Sequence, residues 1–345
     1  MERVALTCAF LAATVPTQAA GWHWVETASL GPYTNQVEVF LESPDGYLYV
    51  GVASGSTILF RTNNRGDSWE ATSLGQLSGT AVRNLLMRSD GYLYAATDYG
   101  VYRTNDGGET WGDVSPPTGG GCPSRQCMIE ASDGYIYAAG KYADMRRTND
   151  GGSTWEPLPK PSGAYRIWSL LEAAGGVIFA GAYTGVDGKI YRSGDGCATW
   201  TEVAQLPSNP EDMIEASDGS LYAVTWNASI YRSTDGGWNW HEIPTPPCPA
   251  YFDLIQASDG CLYLGAESNI FQSRNGGATW VEVGAPLNTA LSLFEGRDGY
   301  LYAGMHGGYA AVFRSSEPIP EPATLALLAI GGLAMICRRA RRTRR

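Results

Sequence analysis

The sequence predicts an all-β fold: a seven-bladed β-propeller of four-stranded antiparallel blades, closed by the N-terminal strand. Three observations carry this. An eight-residue segment returns six times, beginning at Thr62 (TNNRGDSW), Thr104 (TNDGGETW), Thr148 (TNDGGSTW), Ser193 (SGDGCATW), Ser233 (STDGGWNW) and Ser273 (SRNGGATW). The starts lie roughly 40 to 45 residues apart, the length of one blade. Second, an Asp-Gly turn leading into an alternating strand recurs at Asp45, Asp90, Asp133, Asp218, Asp259 and Asp298, with Gly175-Gly176 as a degenerate member. Third, seven such strands are accompanied by only six corners, and Trp22-His23-Trp24-Val25-Glu26-Thr27 resembles the strand after a corner, as in Trp280-Val281-Glu282-Val283. The N-terminal segment therefore supplies the outer strand missing beside residues 298–315.

Within one repeat the elements follow in order. Cys127-Met128-Ile129-Glu130 reads as a first strand, and Asp133-Gly134 as a hairpin turn between apolar runs. Aromatic and β-branched residues favour the second strand, 135–139. A third strand ends near Arg147, the corner follows, and 155–158 form the fourth. A single blade leaves two unpaired edges and cannot bury both faces, so neighbouring repeats must stack.

In each corner the first Ser or Thr and the third residue (Asn64, Asp106, Asp150, Asp195, Asp235 or Asn275) fold their oxygens onto nearby backbone N–H groups. The fifth residue is usually Gly, suited to a left-handed or crowded backbone, with Cys197 as the exception. Asn239 stands where the others have Thr or Ser. The closing indole (Trp69, Trp111, Trp155, Trp200, Trp240 or Trp280) offers a large apolar face for burial. The pattern Ser/Thr-x-Asp/Asn-x-Gly-x-Thr/Ser/Asn-Trp resembles the Asp box, or BNR repeat, of the sialidase-like superfamily. That resemblance implies a propeller whose corners lie between the last two strands of each blade, away from the ligand face. It is shared by sialidases, some endoglucanases, sortilin-type receptors and photosystem assembly factors, so it implies fold more than activity. Arg61, Arg103, Arg147, Arg192, Arg232 and Arg314 each stand just before a corner or its remnant. Such recurrence marks them as structural, bridging carbonyls or carboxylates around the hairpin.

The two ends read as export signals. Residues 1–20 combine Arg3, an apolar run and small residues near Ala20, the pattern of a signal peptide. The propeller then spans 21–317 and a tail 318–345. The tail holds Pro320-Glu321-Pro322, an apolar run over 323–337 and an Arg-rich end. It resembles a PEP-CTERM sorting tail, which implies exosortase-type machinery as a partner. The apolar run implies a short transmembrane segment and transient contact with the inner membrane. Both ends imply a protein at the cell surface or outside the cell.

The net charge of −11, more negative still without the arginines of the tail, argues against nucleic acid and anionic membrane surfaces as ligands. Of the seven cysteines, Cys122, Cys127, Cys197, Cys248 and Cys261 lie between the end segments. An oxidising compartment permits up to two bridges among them, with Cys122–Cys127 the favoured pair. Their spacing, and that of His23, His241 and His306, matches no metal site, and no cofactor motif is present.

Function on a repeated scaffold is expected where the repeats differ, in the loops joining one repeat to the next and in the strand ends beside them. Those entrances bring Glu38, Arg83, Arg166, Trp168, Glu211 and Tyr251 toward one rim, aromatic and charged groups suited to a glycan. Asp212 and Asp253 both stand six residues before an Asp-Gly turn and would face one another. The preferred reading is an exported module binding extracellular polysaccharide or a surface protein. The alternative is a sialidase-like or endoglucanase-like glycoside hydrolase using Asp212 and Asp253, which would need one protonated and one ionised carboxyl at the right separation.

Overall fold

A computed structural model describes residues 23–31, 34, 36–53, 58–76, 81–116, 127–140, 144–267, 269–284, 289–306 and 310–319. The signal segment, Cys122, the Pro320-Glu321-Pro322 element and the tail beyond it lie outside these. β1 (Trp24–Glu26) comes first. Repeat one is β2 (Gln36–Glu42), β3 (Leu48–Ala53), β4 (Leu59–Thr62) and β5 (Glu70–Ala71); repeat two is β6 (Val82–Met87), β7 (Leu93–Thr97), β8 (Val101–Thr104) and β9 (Gly112–Asp113). Repeat three is β10 (Cys127–Glu130), β11 (Ile136–Ala139), β12 (Met145–Thr148) and β13 (Glu156–Leu158); repeat four is β14 (Arg166–Ala173), β15 (Val177–Tyr183), β16 (Gly188–Ser193) and β17 (Thr201–Leu206). Repeat five is β18 (Pro210–Glu215), β19 (Leu221–Thr225), β20 (Ile230–Ser233) and β21 (His241–Ile243); repeat six is β22 (Tyr251–Gln256), β23 (Leu262–Ala266), β24 (Ile270–Ser273) and β25 (Val281–Glu282). β26 (Thr289–Glu295), β27 (Leu301–His306) and β28 (Val312–Ser315) complete the chain.

Repeats two to six are separate four-stranded antiparallel sheets, five propeller blades in all. The remaining strands depart from the expectation. They form one open eight-stranded sheet in the order β1-β28-β27-β2-β3-β4-β5, with β26 pairing β27 off that path. The closed ring of seven separate blades is therefore corrected to five blades and one larger sheet that carries the N-terminal strand. The cause is a single long-range pairing, Gln36 with His306, which joins β2 to β27. β1 pairs with β28, Val25 opposite Arg314, and so forms an edge of that sheet rather than the last strand of an isolated blade.

The corners are built as the sequence suggests at the level of the turn. At Thr148 the Gly152 N–H donates to Thr148 Oγ1 (3.0 Å), the Thr154 N–H donates to Asp150 Oδ1 (2.9 Å), and the Thr154 hydroxyl donates to Asp150 Oδ2 (2.6 Å). Cys197 takes φ 66° and donates its N–H to Ser193 Oγ at 2.9 Å, so the sulfur-bearing residue adopts the backbone that glycine holds elsewhere. At Gly152 a side chain is excluded twice over: φ is +88°, and a Cβ would lie 2.8 Å from that of Val114 in the preceding repeat.

These corners also clasp neighbouring repeats. The Trp155, Trp200 and Trp280 indole N–H groups donate to the carbonyls of Val114 (2.8 Å), Pro159 (3.1 Å) and Pro244 (3.0 Å), each on the preceding repeat's outer strand or just beyond it. Trp69 donates to Thr27 Oγ1, just past β1, at 3.2 Å. Trp111 and Trp240 instead donate to Gly108 and Gly237 in their own corners. The arginines before the corners reach forward: Arg61 Nη1 donates to the Gly107 carbonyl (2.5 Å), Arg103 Nη1 to Gly151 (2.6 Å) and Arg192 Nε to Gly236 (3.3 Å).

A second set of straps joins the Asp-Gly turns. The backbone N–H of the residue before each turn donates to a carboxylate or amide at the end of the next repeat's first strand: Ser89 to Glu130, Ser132 to Glu172, Ala174 to Glu215, Ser217 to Gln256, Ser258 to Glu295 and Arg297 to Glu42. Between repeats one and two the donor position is Pro44 and the acceptor position Met87. Proline has no N–H and methionine no charged acceptor, so that strap does not form. Apolar clusters fill the space between the sheets, with the second strands buried along almost their whole length.

Candidate ligand site in the axial cavity

The first strands of the repeats lie side by side, β2 beside β6, β6 beside β10, and so on to β26 beside β2. Their inner ends line a cavity of about 360 Å³. What aims side chains into it is a repeated irregularity. The pairing register slips in β2 between Val37 and Val39, in β6 between Val82 and Asn84, in β14 between Ile167 and Ser169, in β18 between Pro210 and Asp212 and in β22 between Tyr251 and Asp253. Each slip leaves one extra residue unpaired, so two successive side chains turn to the same side. The resulting pairs Glu38/Val39, Arg83/Asn84, Trp168/Ser169, Glu211/Asp212 and Phe252/Asp253 all line the cavity.

On one wall Arg83 Nη1 donates to Glu38 Oε1 (2.6 Å), and its Nε and Nη2 donate to the two carboxylate oxygens of Asp98 (3.0 and 3.2 Å). Burial by itself would lower the Arg83 pKa, but the hydrogen bonds and charges of Asp98 and Glu38 outweigh it and hold the pKa above its ordinary value. Opposite, Asp212 and Asp253 share a hydrogen bond. Desolvation raises the pKa of both, and the neighbouring Asp212 charge adds to the shift at Asp253, which lies well above the carboxylate range. The upward shift is the larger at Asp253, where the Asp212 charge adds to desolvation. Their outer oxygens are tied to the next strand: Leu254 N–H donates to Asp212 Oδ2 (3.2 Å) and Leu293 N–H to Asp253 Oδ2 (2.5 Å). A retaining glycosidase holds its carboxyls about 5 Å apart and an inverting one farther, so a directly hydrogen-bonded pair has neither spacing.

The other expected residues divide. Glu211 lines the cavity and accepts a hydrogen bond from Asn209 Nδ2. Arg166 lies over the Trp168 ring, 4.8 Å from its centroid. Tyr251 is fully buried, its hydroxyl donating to the Pro246 carbonyl, and burial pushes its pKa up to about 12. It belongs to the core and not to the rim. Residues not singled out from the sequence also contribute: Asn84 and Phe252 line the cavity, and exposed Trp226 stacks edge-on against Phe252 with ring centroids 5.3 Å apart.

Cys127 also faces the cavity. Its thiol is free and donates to the Ala139 carbonyl at 3.5 Å, and burial raises its pKa to about 12. Its expected partner, Cys122, lies outside the described residues. Among the described residues no group of three or more His, Cys, Asp or Glu is placed to hold a metal ion.

Fold and cavity together define a propeller with a charged, aromatic-walled pocket. Residues 21–164 match the DUF6242 beta propeller domain, and residues 318–342 match the PEP-CTERM protein-sorting motif. The sorting motif implicates exosortase-type machinery and export to the cell surface or beyond. No curated protein matches the chain. Among solved structures it is similar to YCF48 from Cyanidioschyzon merolae (11% identity, 84% of this chain and 98% of that one, TM-score 0.66). It is likewise similar to YCF48 bound to D1 peptide (16%, 85% and 94%, 0.65) and to virginiamycin B lyase from Staphylococcus aureus (17%, 86% and 99%, 0.70).

These likenesses correct the sialidase-like assignment. The BNR or Asp-box corner is a hydrogen-bonded turn, and a turn that closes a hairpin well marks the hairpin rather than a superfamily. The apolar run 323–337 falls within the sorting-motif match and lies outside the described residues, among which no helix is long and apolar enough to cross a membrane.

Proposed function

We propose that this exported propeller is a non-catalytic binding module that captures an extracellular polysaccharide or a surface protein at the mouth of its axial cavity. The observation that supports this is the set of bulged first strands, each directing two adjacent side chains into one shared pocket, while the corners at the opposite end spend their polar groups on one another. The hydrogen-bonded Asp212–Asp253 pair, tied to backbone N–H groups, serves as part of the wall. Delivery to the outside rests on the sorting motif, with exosortase-type machinery acting on the tail and releasing the chain from transient membrane contact. One similar propeller is described with a bound peptide, so peptide capture lies within reach of this fold.

The purified exported protein, screened against an array of bacterial polysaccharides and surface-protein peptides, is expected to retain a ligand that Trp226→Ala weakens by about tenfold at unchanged melting temperature, since an exposed aromatic anchor contributes to binding and little to the core. Incubation with sialosides and β-glucans should release no product. Turnover that disappears in Asp212→Asn would overturn the non-catalytic reading.

A further inference from the structure

The polar groups of the cavity are unevenly satisfied. Arg83 is the one cation that lines it among the described residues, and Glu38 and Asp98 already engage that cation from two sides. The Asn84 Oδ1 acceptor is buried with no hydrogen-bond donor among the described residues. Across from it Asp212 and Asp253 share a hydrogen bond and each accepts one backbone N–H, from Leu254 and Leu293, and Glu211 lines the cavity beside them. Phe252 supplies an aromatic face, braced from outside by Trp226.

We propose that the axial cavity binds one organic monocation, the ammonium or guanidinium end of a lysine or arginine side chain carried on a peptide, with Phe252 as its aromatic wall and Asn84 and the Asp212–Asp253 pair as its acceptors. This rests on the binding-module reading and narrows its ligand. A cation supplies the donor that Asn84 lacks and meets the carboxyl groups of Glu211, Asp212 and Asp253 on the cavity lining. Its contact with an aromatic face is favourable in a desolvated pocket. A neutral sugar would provide donors as well but would bring no positive charge to those carboxyl groups. The net charge of −11 adds a long-range pull on a basic partner.

The test titrates the purified exported protein with the pentapeptide Gly-Gly-Lys-Gly-Gly, its arginine and norleucine counterparts, and uncharged glucan oligosaccharides, following tryptophan fluorescence. The expected result is saturable binding of the lysine or arginine peptide, weakened about tenfold or more in the norleucine peptide and in the Asp212→Asn/Asp253→Asn double variant, and weakened by added salt. The double variant keeps side-chain shape and hydrogen bonding, and its melting temperature verifies that it folds. Phe252→Leu provides an independent second arm, with loss of affinity expected for both cationic peptides. Equal binding of the norleucine peptide, or no saturable binding of either cationic peptide, overturns the inference. Saturation by the oligosaccharides alone overturns it while leaving the binding module standing, and failure of every probe removes both.

Discussion

Replacing Trp155 with alanine is expected to destabilise the protein by roughly 3–5 kcal/mol, the range for truncating a buried aromatic side chain. Trp155 is the corner indole with the least exposure, 8%, and it packs in the cluster shared by repeats two and three. Its N–H also meets the Val114 carbonyl at 2.8 Å, so truncation opens a cavity and strands a carbonyl together. Trp280 makes the same kind of hydrogen bond but is only partly buried, so Trp280→Ala should cost less. Urea denaturation of the two variants beside the wild type measures both. Equal, small losses would mean that the corner indoles do not hold neighbouring repeats together.

The second large effect is a dependence on pH that one substitution should weaken. The folded state raises the pKa of Asp253 well above its ordinary value, through desolvation first and the adjacent Asp212 charge second. The folded protein therefore binds this proton more tightly than the unfolded chain. The stability it contributes is complete below the ordinary carboxylate pKa of about 4 and is lost as pH rises toward the folded value, at about 1.4 kcal/mol per pH unit across that window. Asp253→Asn keeps an N–H donor for Asp212 and an oxygen for the Leu293 N–H, but has no proton to lose. Urea midpoints taken at one-unit pH steps should fall above pH 4 in the wild type and fall less steeply in the variant, where only the desolvated Asp212 still titrates, so that the variant is the more stable at neutral pH.

The corner aspartates run the other way. Hydrogen bonds from Thr154 and Thr148 depress Asp150 to about 2, and equivalent bonds lower Asp106, Asp195 and Asp235. Their contribution is present above the ordinary carboxylate pKa and disappears as pH falls through the depressed values, so it cannot produce the slope above pH 4. Asn64 and Asn275 form the same turn without a charge, which makes those two corners insensitive to acid.

Local chemistry was legible in the sequence where it is decided locally. The Ser/Thr, Asp/Asn and Gly positions of the corner close on one another within eight residues, so their hydrogen bonds follow from spacing alone. The merging of the first and last repeats into one sheet was not legible, because it depends on Gln36 meeting His306 at the far end of the chain. Within the cavity, Asp212 and Asp253 could be paired because both stand six residues before an Asp-Gly turn. The same offset reaches Asn84 and Ser292, which line the cavity as well but carry no charge to draw notice. Tyr251 and Phe252 illustrate the limit. They are adjacent, and only the register slip in β22 decides that the phenyl ring enters the pocket while the phenol enters the core.

Because Pro44 and Met87 leave the first two repeats without the inner strap that joins other neighbours, the outer clasp of Arg61 carries more of that junction, beside the Arg83–Glu38 pair and the bonds from Tyr49 and Ser73 to the next corner. Its guanidinium meets the Gly107 carbonyl, Glu109 and Glu70 at once. Of the six arginines in equivalent places, Arg61 is therefore the one the molecule can least spare, and amide exchange after Arg61→Gln should quicken first along the boundary between β3 and β6.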